Sequence, residues 1–176
     1  MKLLRALGTC LFATLVVTTA AHAQSCPGGF SSSFRLWGQV ENPVTLTLAK
    51  LKSKPASRVT VSYFSGSAGL VTKSYIGVPL MDLLNEAVVK TDPSRHNDIL
   101  RKYVQVRASD CYESVIAVAD LLPNFGSQQV LIAYQTGEGA PLDQSEGMAR
   151  LIVVSDKQGG RLVSNVKAVI VRSAQE

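Results

Sequence analysis

The run Tyr75-Ile76-Gly77-Val78-Pro79-Leu80-Met81-Asp82-Leu83-Leu84-Asn85-Glu86-Ala87 decides the fold class, because it holds the clearest helix of the chain with strand-like segments on both sides. Pro79 suits a first helical position, where its missing N–H costs nothing and its fixed φ is already helical. Leu80, Leu83, Leu84 and Ala87 follow at i, i+3, i+4 and i+7, one apolar face that belongs on a core. Asp82 and Glu86 fall off that face, one turn apart, and read as a solvated stripe.

Upstream, Val59-Thr60-Val61-Ser62-Tyr63 alternates and is β-branched, which predicts a strand ending in the Gly/Ser loop from Ser65 to Gly69. Before it, Phe34 to Val40 reads as a first strand with Trp37 as its core anchor. Asn42-Pro43 makes a turn, and Val44 to Leu48 runs into a short helix, Ala49 to Lys52, stopped before Pro55. Downstream, Thr91 to Asp98 is a polar loop holding His96.

Tyr103 to Ala108 and Glu113 to Val118 read as two strands joined by Ser109-Asp110-Cys111-Tyr112, with Cys111 in the place where such a turn favours glycine. If that position takes a positive φ, its β-carbon carries a steric cost that a cross-link to Cys26 would offset. Ala119 to Leu122 gives one helical turn before Pro123, and Val130 to Tyr134 reads as a buried strand. Leu151 to Val154 and Val163 to Val171 complete the sheet, read as paired across Asp156 to Gly160. Many short strands, few short helices and no βαβ rhythm predict a single α+β domain with a mixed or antiparallel sheet.

The ends of the chain set its expected setting. Lys2 and Arg5 precede an apolar run from Ala6 to Ala20 and then Ala21-His22-Ala23, the small-x-small shape of a cleaved signal peptide over residues 1–23. The run is shorter than the ~20 residues that span a bilayer. The expectation is therefore a periplasmic protein, residues 24–176, with no membrane span after cleavage. Loss of Lys2 and Arg5 takes 18 basic residues to 16 against 13 acidic ones, so the net charge falls from +5 to +3. This mild excess forms no basic block, which argues against nucleic acid as a partner.

Export leaves Cys26 and Cys111. In an oxidising compartment their disulfide is the default pairing, two free thiols being the alternative. By chain entropy it would contribute about 4 to 5 kcal/mol. His96 is then the one histidine left, which argues against metal clusters and against Cys-His or Ser-His catalytic sets.

Five short motifs occur in a familiar order: Gly38-x-Val40-x-Asn42-Pro43, Leu46-Thr47-Leu48-x-x-Leu51, Tyr75-x-Gly77-Val78-Pro79-Leu80-x-x-Leu83-Leu84, Asp110-x-Tyr112 and Gly147-x-x-Arg150-Leu151. Together they resemble the molybdopterin-binding domain of the sulfite oxidase family over nearly all of the mature chain. The resemblance implies an α+β fold with a pterin pocket, and in catalytic members a cysteine just after the strand equivalent to Val59–Tyr63 holds the molybdenum. Here that place reads Phe64-Ser65-Gly66-Ser67. A hydroxyl is a poor substitute for a soft thiolate, so a pterin is the expected ligand and molybdenum is not.

A pterin is a flat ring with a donor edge, which calls for a carboxylate and an aromatic face. Asp110, Tyr112, Tyr63 and Phe64 lie at strand ends, and Arg150 resembles the family's arginine near the pocket; these five are the predicted ligand-binding residues. Each has a structural alternative: Asp110 as a turn residue, Phe64 as core, Arg150 as the partner of Glu146 or Asp143. Small exported relatives lacking the cysteine resemble pterin-binding regulators that dock on the periplasmic part of a membrane cyclase or phosphodiesterase controlling cyclic di-GMP. The competing readings are a molybdopterin-dependent oxidoreductase subunit and a ligand-free interaction domain.

Overall fold

A computed structural model describes residues 26–174; the predicted signal segment, residues 1–23, lies outside the described residues. Alternation sets the first sheet. In β1 (Ser33–Gly38) Phe34 and Leu36 point inward, and β2 (Val44–Thr47) turns back on it with Leu46 buried. Thr47 ends β2 and caps the short helix α1 (Leu48–Lys52), its hydroxyl accepting from the Lys50 N–H at 3.4 Å.

The hairpin of β3 (Ser57–Ser65) and β4 (Gly69–Pro79) follows, and β4 runs directly into α2 (Leu80–Ala87). The helix buries the predicted face of Leu80, Leu83, Leu84 and Ala87. Pro79 caps it from one position outside, a one-residue difference from the sequence reading. A 3₁₀ turn, Asp98–Arg101, leads to β5 (Lys102–Ala108), then β6 (Glu113–Ala117), the short helix α3 (Val118–Leu121), β7 (Val130–Thr136), β8 (Arg150–Val153) and β9 (Val166–Ser173).

These strands form two sheets, ordered β2-β1-β9-β5-β6 and β3-β4-β7-β8. β9 runs parallel to β1 and antiparallel to β5, so the first sheet is mixed, and the second is antiparallel throughout. One apolar cluster draws on both sheets and α2, with Leu36, Val61, Val106, Leu131, Ile152 and Val171 among its members. The architecture is the expected single α+β domain.

Three readings are corrected. Leu151–Val154 and Val163–Val171 do not pair as adjacent strands: β8 pairs with β7 in one sheet and β9 with β1 and β5 in the other. One backbone bond ties the segments where they pass, Leu151 N–H to Val163 O at 2.8 Å, and a second joins Val166 N–H to Ala149 O, just before the first segment, at 3.0 Å. The eleven-residue strand β4 was not foreseen over Leu70–Ser74, because its outward Thr72 and Ser74 dilute the apolar signal. Trp37 is no core anchor. Pleating sends Arg35 and Trp37 to the face opposite Phe34 and Leu36, where Trp37 is 38% exposed with the Arg35 guanidinium 5.7 Å from its ring centre.

Candidate functional site

Two groups of chemistry-bearing residues emerge, one at the β5–β6 turn and one under the β3–β4 hairpin. At the turn, Cys111 has φ +66°, the left-handed region that the sequence placed a glycine-like residue in. Its disulfide to Cys26, with Cα atoms 5.5 Å apart, is the predicted one. The cross-link lays the N-terminal lead against the turn, where Ser109 Oγ donates to Gly29 O at 2.6 Å and Gly28 N–H donates to Ser109 O at 3.2 Å.

Asp110 shapes this turn: its Oδ1 accepts the Tyr112 N–H at 3.0 Å, an Asx turn. Tyr112 is about half exposed and its hydroxyl donates to the Gly160 carbonyl. Asp110 and Tyr112 together line a cavity of about 250 Å³ whose other polar walls are Ser109, Ser145, Ser164 and Asn165. Asn165 is fixed there by two bonds, Oδ1 accepting from Ser31 N–H at 3.2 Å and Nδ2 donating to Ser145 O at 3.0 Å. Gly147, with φ +81°, packs so closely on Asn165 that a β-carbon would collide with it, which explains the glycine of that motif.

The second group is buried. Tyr75 and Tyr63 project inward from β4 and β3, and Glu146 and Arg150 approach from the segment leading into β8. The Tyr75 hydroxyl donates to Glu146 Oε1 at 2.7 Å, and Arg150 forms an ion pair with the same oxygen. The Arg150 guanidinium also reaches the Tyr75 and Tyr63 hydroxyls, each at 3.3 Å, and lies within 6 Å of both ring centres. Lys73 adds a second cation 3.5 Å from Glu146 Oε1.

Burial pushes the Tyr75 phenol far above the usual tyrosine range, helped by the adjacent Glu146 carboxylate and opposed by Arg150. Burial works against the Arg150 charge, yet Tyr75, Tyr63 and Glu146 outweigh it and hold the guanidinium protonated. The Arg150 Nε is buried without a hydrogen-bond partner.

The predicted site residues are thus divided. Asp110 and Tyr112 share the turn cavity, whereas Tyr63 and Arg150 share the buried cluster. Phe64 joins neither ring: one residue after Tyr63 it faces the other side of the sheet, half exposed and opposite the exposed Leu70. Residues 157–160 connect the two groups, with Phe64 N–H donating to Lys157 O at 2.9 Å, Gly159 packed against the Tyr63 ring and Gly160 accepting from Tyr112. Arg150 takes its alternative role as the partner of Glu146, and Asp143 instead caps a turn, accepting from Ser145 and Glu146 N–H groups. Asn165, Ser145 and Tyr75 were not singled out as site residues. The i,i+4 spacing of Glu146 and Arg150 was the one local sign of the buried pair.

Both cysteines of the described residues are in the disulfide, so neither presents a thiolate, and the end of β3 offers the hydroxyl of Ser65. Among the described residues, no group of three or more His, Cys, Asp or Glu side chains is placed to hold a metal ion.

Two sheets, one mixed and one antiparallel, with a few short helices and a small polar cavity at a hairpin turn define the class: a single domain of the α+β type. Its family follows from the sequence, since the model for the oxidoreductase molybdopterin-binding domain matches residues 30–176, and the chain belongs to that family. The fold resembles the crystal structure of the sulfane dehydrogenase SoxCD from Paracoccus pantotrophus, with a TM-score of 0.64 and 21% identity. That likeness covers 82% of this chain and 39% of the other, so this chain spans about two fifths of the length of that relative. No curated protein matches the sequence.

Proposed function

We propose that this protein is a periplasmic pterin-binding domain without molybdenum chemistry, and that it regulates a membrane signalling enzyme of cyclic di-GMP control. The observation that carries the ligand reading is the turn cavity, where the Asp110 carboxylate and the Tyr112 ring stand beside Ser109, Ser145, Ser164 and Asn165. A carboxylate suits the amino and ring N–H edge of a pterin, and an aromatic ring suits its face. At about 250 Å³ the cavity is just below the ~300–1,000 Å³ of drug-sized ligand pockets, a size for a bare bicyclic ring.

The donor set does not fit thiolate-held molybdenum, because Cys26 and Cys111 are bonded to each other and Ser65 brings a hard, neutral oxygen. The leader-like residues 1–23 and the disulfide support export. The regulatory role rests on the resemblance to small exported relatives lacking the cysteine.

The test is mass spectrometry, with pterin fluorescence, of what is released when protein purified from the periplasm is denatured. A pterin without metal is the expected result, and Asp110→Ala then lowers its affinity about tenfold, the loss of one charge-assisted hydrogen bond. Stoichiometric molybdenum with a dithiolene pterin would make the protein an oxidoreductase subunit, and no ligand would make it an interaction domain. Co-purification with the periplasmic region of a membrane cyclase or phosphodiesterase tests the regulatory part.

A further inference from the structure

Pleating turns every second residue of the first sheet away from the core, and on that outer face β1, β9 and β5 build a slot. In register, Trp37 on β1 lies beside Ile170 on β9, and Tyr103 on β5 lies beside Arg172 on β9. A cavity of about 700 Å³ opens there, with these four residues and Gln39 in its lining. That volume falls within the ~300–1,000 Å³ of pockets that hold small molecules. The slot lies near the start of β5 and shares no lining residue with the turn cavity past the end of that strand.

Its walls are aromatic and its floor is apolar. Trp37 is the single tryptophan of the chain. The Arg35 guanidinium sits over its ring from two residues before it on the same face, while the cavity extends toward Gln39, two residues after it. Ile170 is 2% exposed yet stands outside the core cluster to which its neighbours Val169 and Val171 belong, so it is buried on the outer face and makes the floor. With β9 between them, the backbones of Trp37 and Tyr103 are at least ~10 Å apart, which leaves room for a flat ring between the two side chains.

The polar groups of the slot have bonding capacity to spare. Arg172 donates through Nε to Gln105 Oε1 at 2.5 Å, and among the described residues its two terminal nitrogens and the Tyr103 hydroxyl have no hydrogen-bond partner. The acids around the slot are already partnered: Glu113 accepts from Gln105 and Arg107, Glu41 pairs with Lys90 at 3.7 Å and Asp98 with Lys102 at 2.8 Å. Glu113 also attracts Arg172 from across β5, so the charge of that guanidinium is shared while its terminal donors stay unused.

We propose that this slot binds a small planar aromatic acid, its ring against Trp37 and Tyr103 above Ile170 and its carboxylate on the terminal nitrogens of Arg172. Aromatic rings gain from offset or edge-on packing, and a guanidinium meets a carboxylate through two parallel bonds. The site is separate from the turn cavity and does not depend on what that cavity binds.

The test titrates naphthoate against the disulfide-bonded protein by calorimetry. Its counterparts are the matching naphthamide, flat but uncharged, and cyclohexanecarboxylate, charged but not flat. The expected result is binding of naphthoate at least about tenfold tighter than either. Arg172→Gln removes the charge and should weaken naphthoate about tenfold while leaving naphthamide unchanged, a selectivity that mere damage to the fold would not produce. Trp37→Leu should weaken both flat compounds; if that variant does not fold, Arg172→Gln decides alone. Equal binding of the three compounds or no binding would overturn the proposal. Naphthoate binding that Arg172→Gln leaves intact would place the ligand elsewhere, the turn cavity included, and would overturn it too.

Discussion

The buried cluster under the β3–β4 hairpin and the open cavity at the β5–β6 turn are built from the same materials, a carboxylate and tyrosines. They differ in what is left over. In the cluster, Glu146 takes bonds from Tyr75, Arg150 and Lys73, and the tyrosines in turn face Arg150, so the carboxylate and both hydroxyls are partnered from within and the buried Arg150 Nε alone is left over. At the turn, Asp110 makes one local bond to Tyr112 N–H and stands exposed in the wall of a cavity. Polar residue types alone therefore do not mark a site; their unspent bonding capacity in reach of a ligand does.

Four experiments break or sharpen this contrast. The largest effect belongs to the turn's anchor: Cys111→Ser removes a cross-link between residues 85 apart and should cost about 4 to 5 kcal/mol by chain entropy, read as a shift of the denaturant midpoint. Unchanged stability would mean that the lead holds to the turn without the bond. Next, Glu146→Ala leaves the Arg150 charge buried and unpaired and should cost about 3 to 5 kcal/mol in the same assay. A loss below about 1 kcal/mol would show the cluster to be as wet as the turn.

The third is alkaline titration. Because the folded pKa of Tyr75 is raised, the folded state keeps a proton that the unfolded chain sheds, so the contribution is complete below about pH 10 and declines as pH rises above it. Absorbance of tyrosinate should show Tyr75 ionising only with unfolding, a feature absent in Tyr75→Phe. The smallest effect is on the stability of Asp110→Ala, expected within about 1 kcal/mol because the lost bond is local and exposed. A large loss of stability there would remove the distinction between the two regions.

Local patterns were legible where one element carries its own signal. Alternation gave β3, the i, i+3, i+4, i+7 face gave α2, the Ser109–Tyr112 stretch between two strand-like runs gave the turn, and the two cysteines left by the expected export gave the disulfide as the default over free thiols. Partners far apart in the chain were not. Nothing near Leu151 says that its strand lies beside β7, and Tyr75 and Glu146 are 71 residues apart when they meet. Phe64 shows the same limit at the shortest range, because grouping residues by strand end ignores the pleat that sends it and Tyr63 to opposite faces. The family resemblance, carried by ordered short motifs, reached the fold that these local readings could not assemble.

The placement of β9 reaches back to how the domain comes into being. This strand is the last in chain order, yet it lies at the centre of its sheet, between β1 and β5. Without residues 166–173 the first sheet is two strand pairs, β1 with β2 and β5 with β6, that share no strand-to-strand pairing and are tied only through the lead, by the Cys26–Cys111 disulfide and its neighbouring bonds. Such long-range closure is slow and late. Within the described residues, the first sheet is therefore one continuous sheet only when residues 166–173 lie in its middle, so its integrity hangs on the segment farthest along the chain.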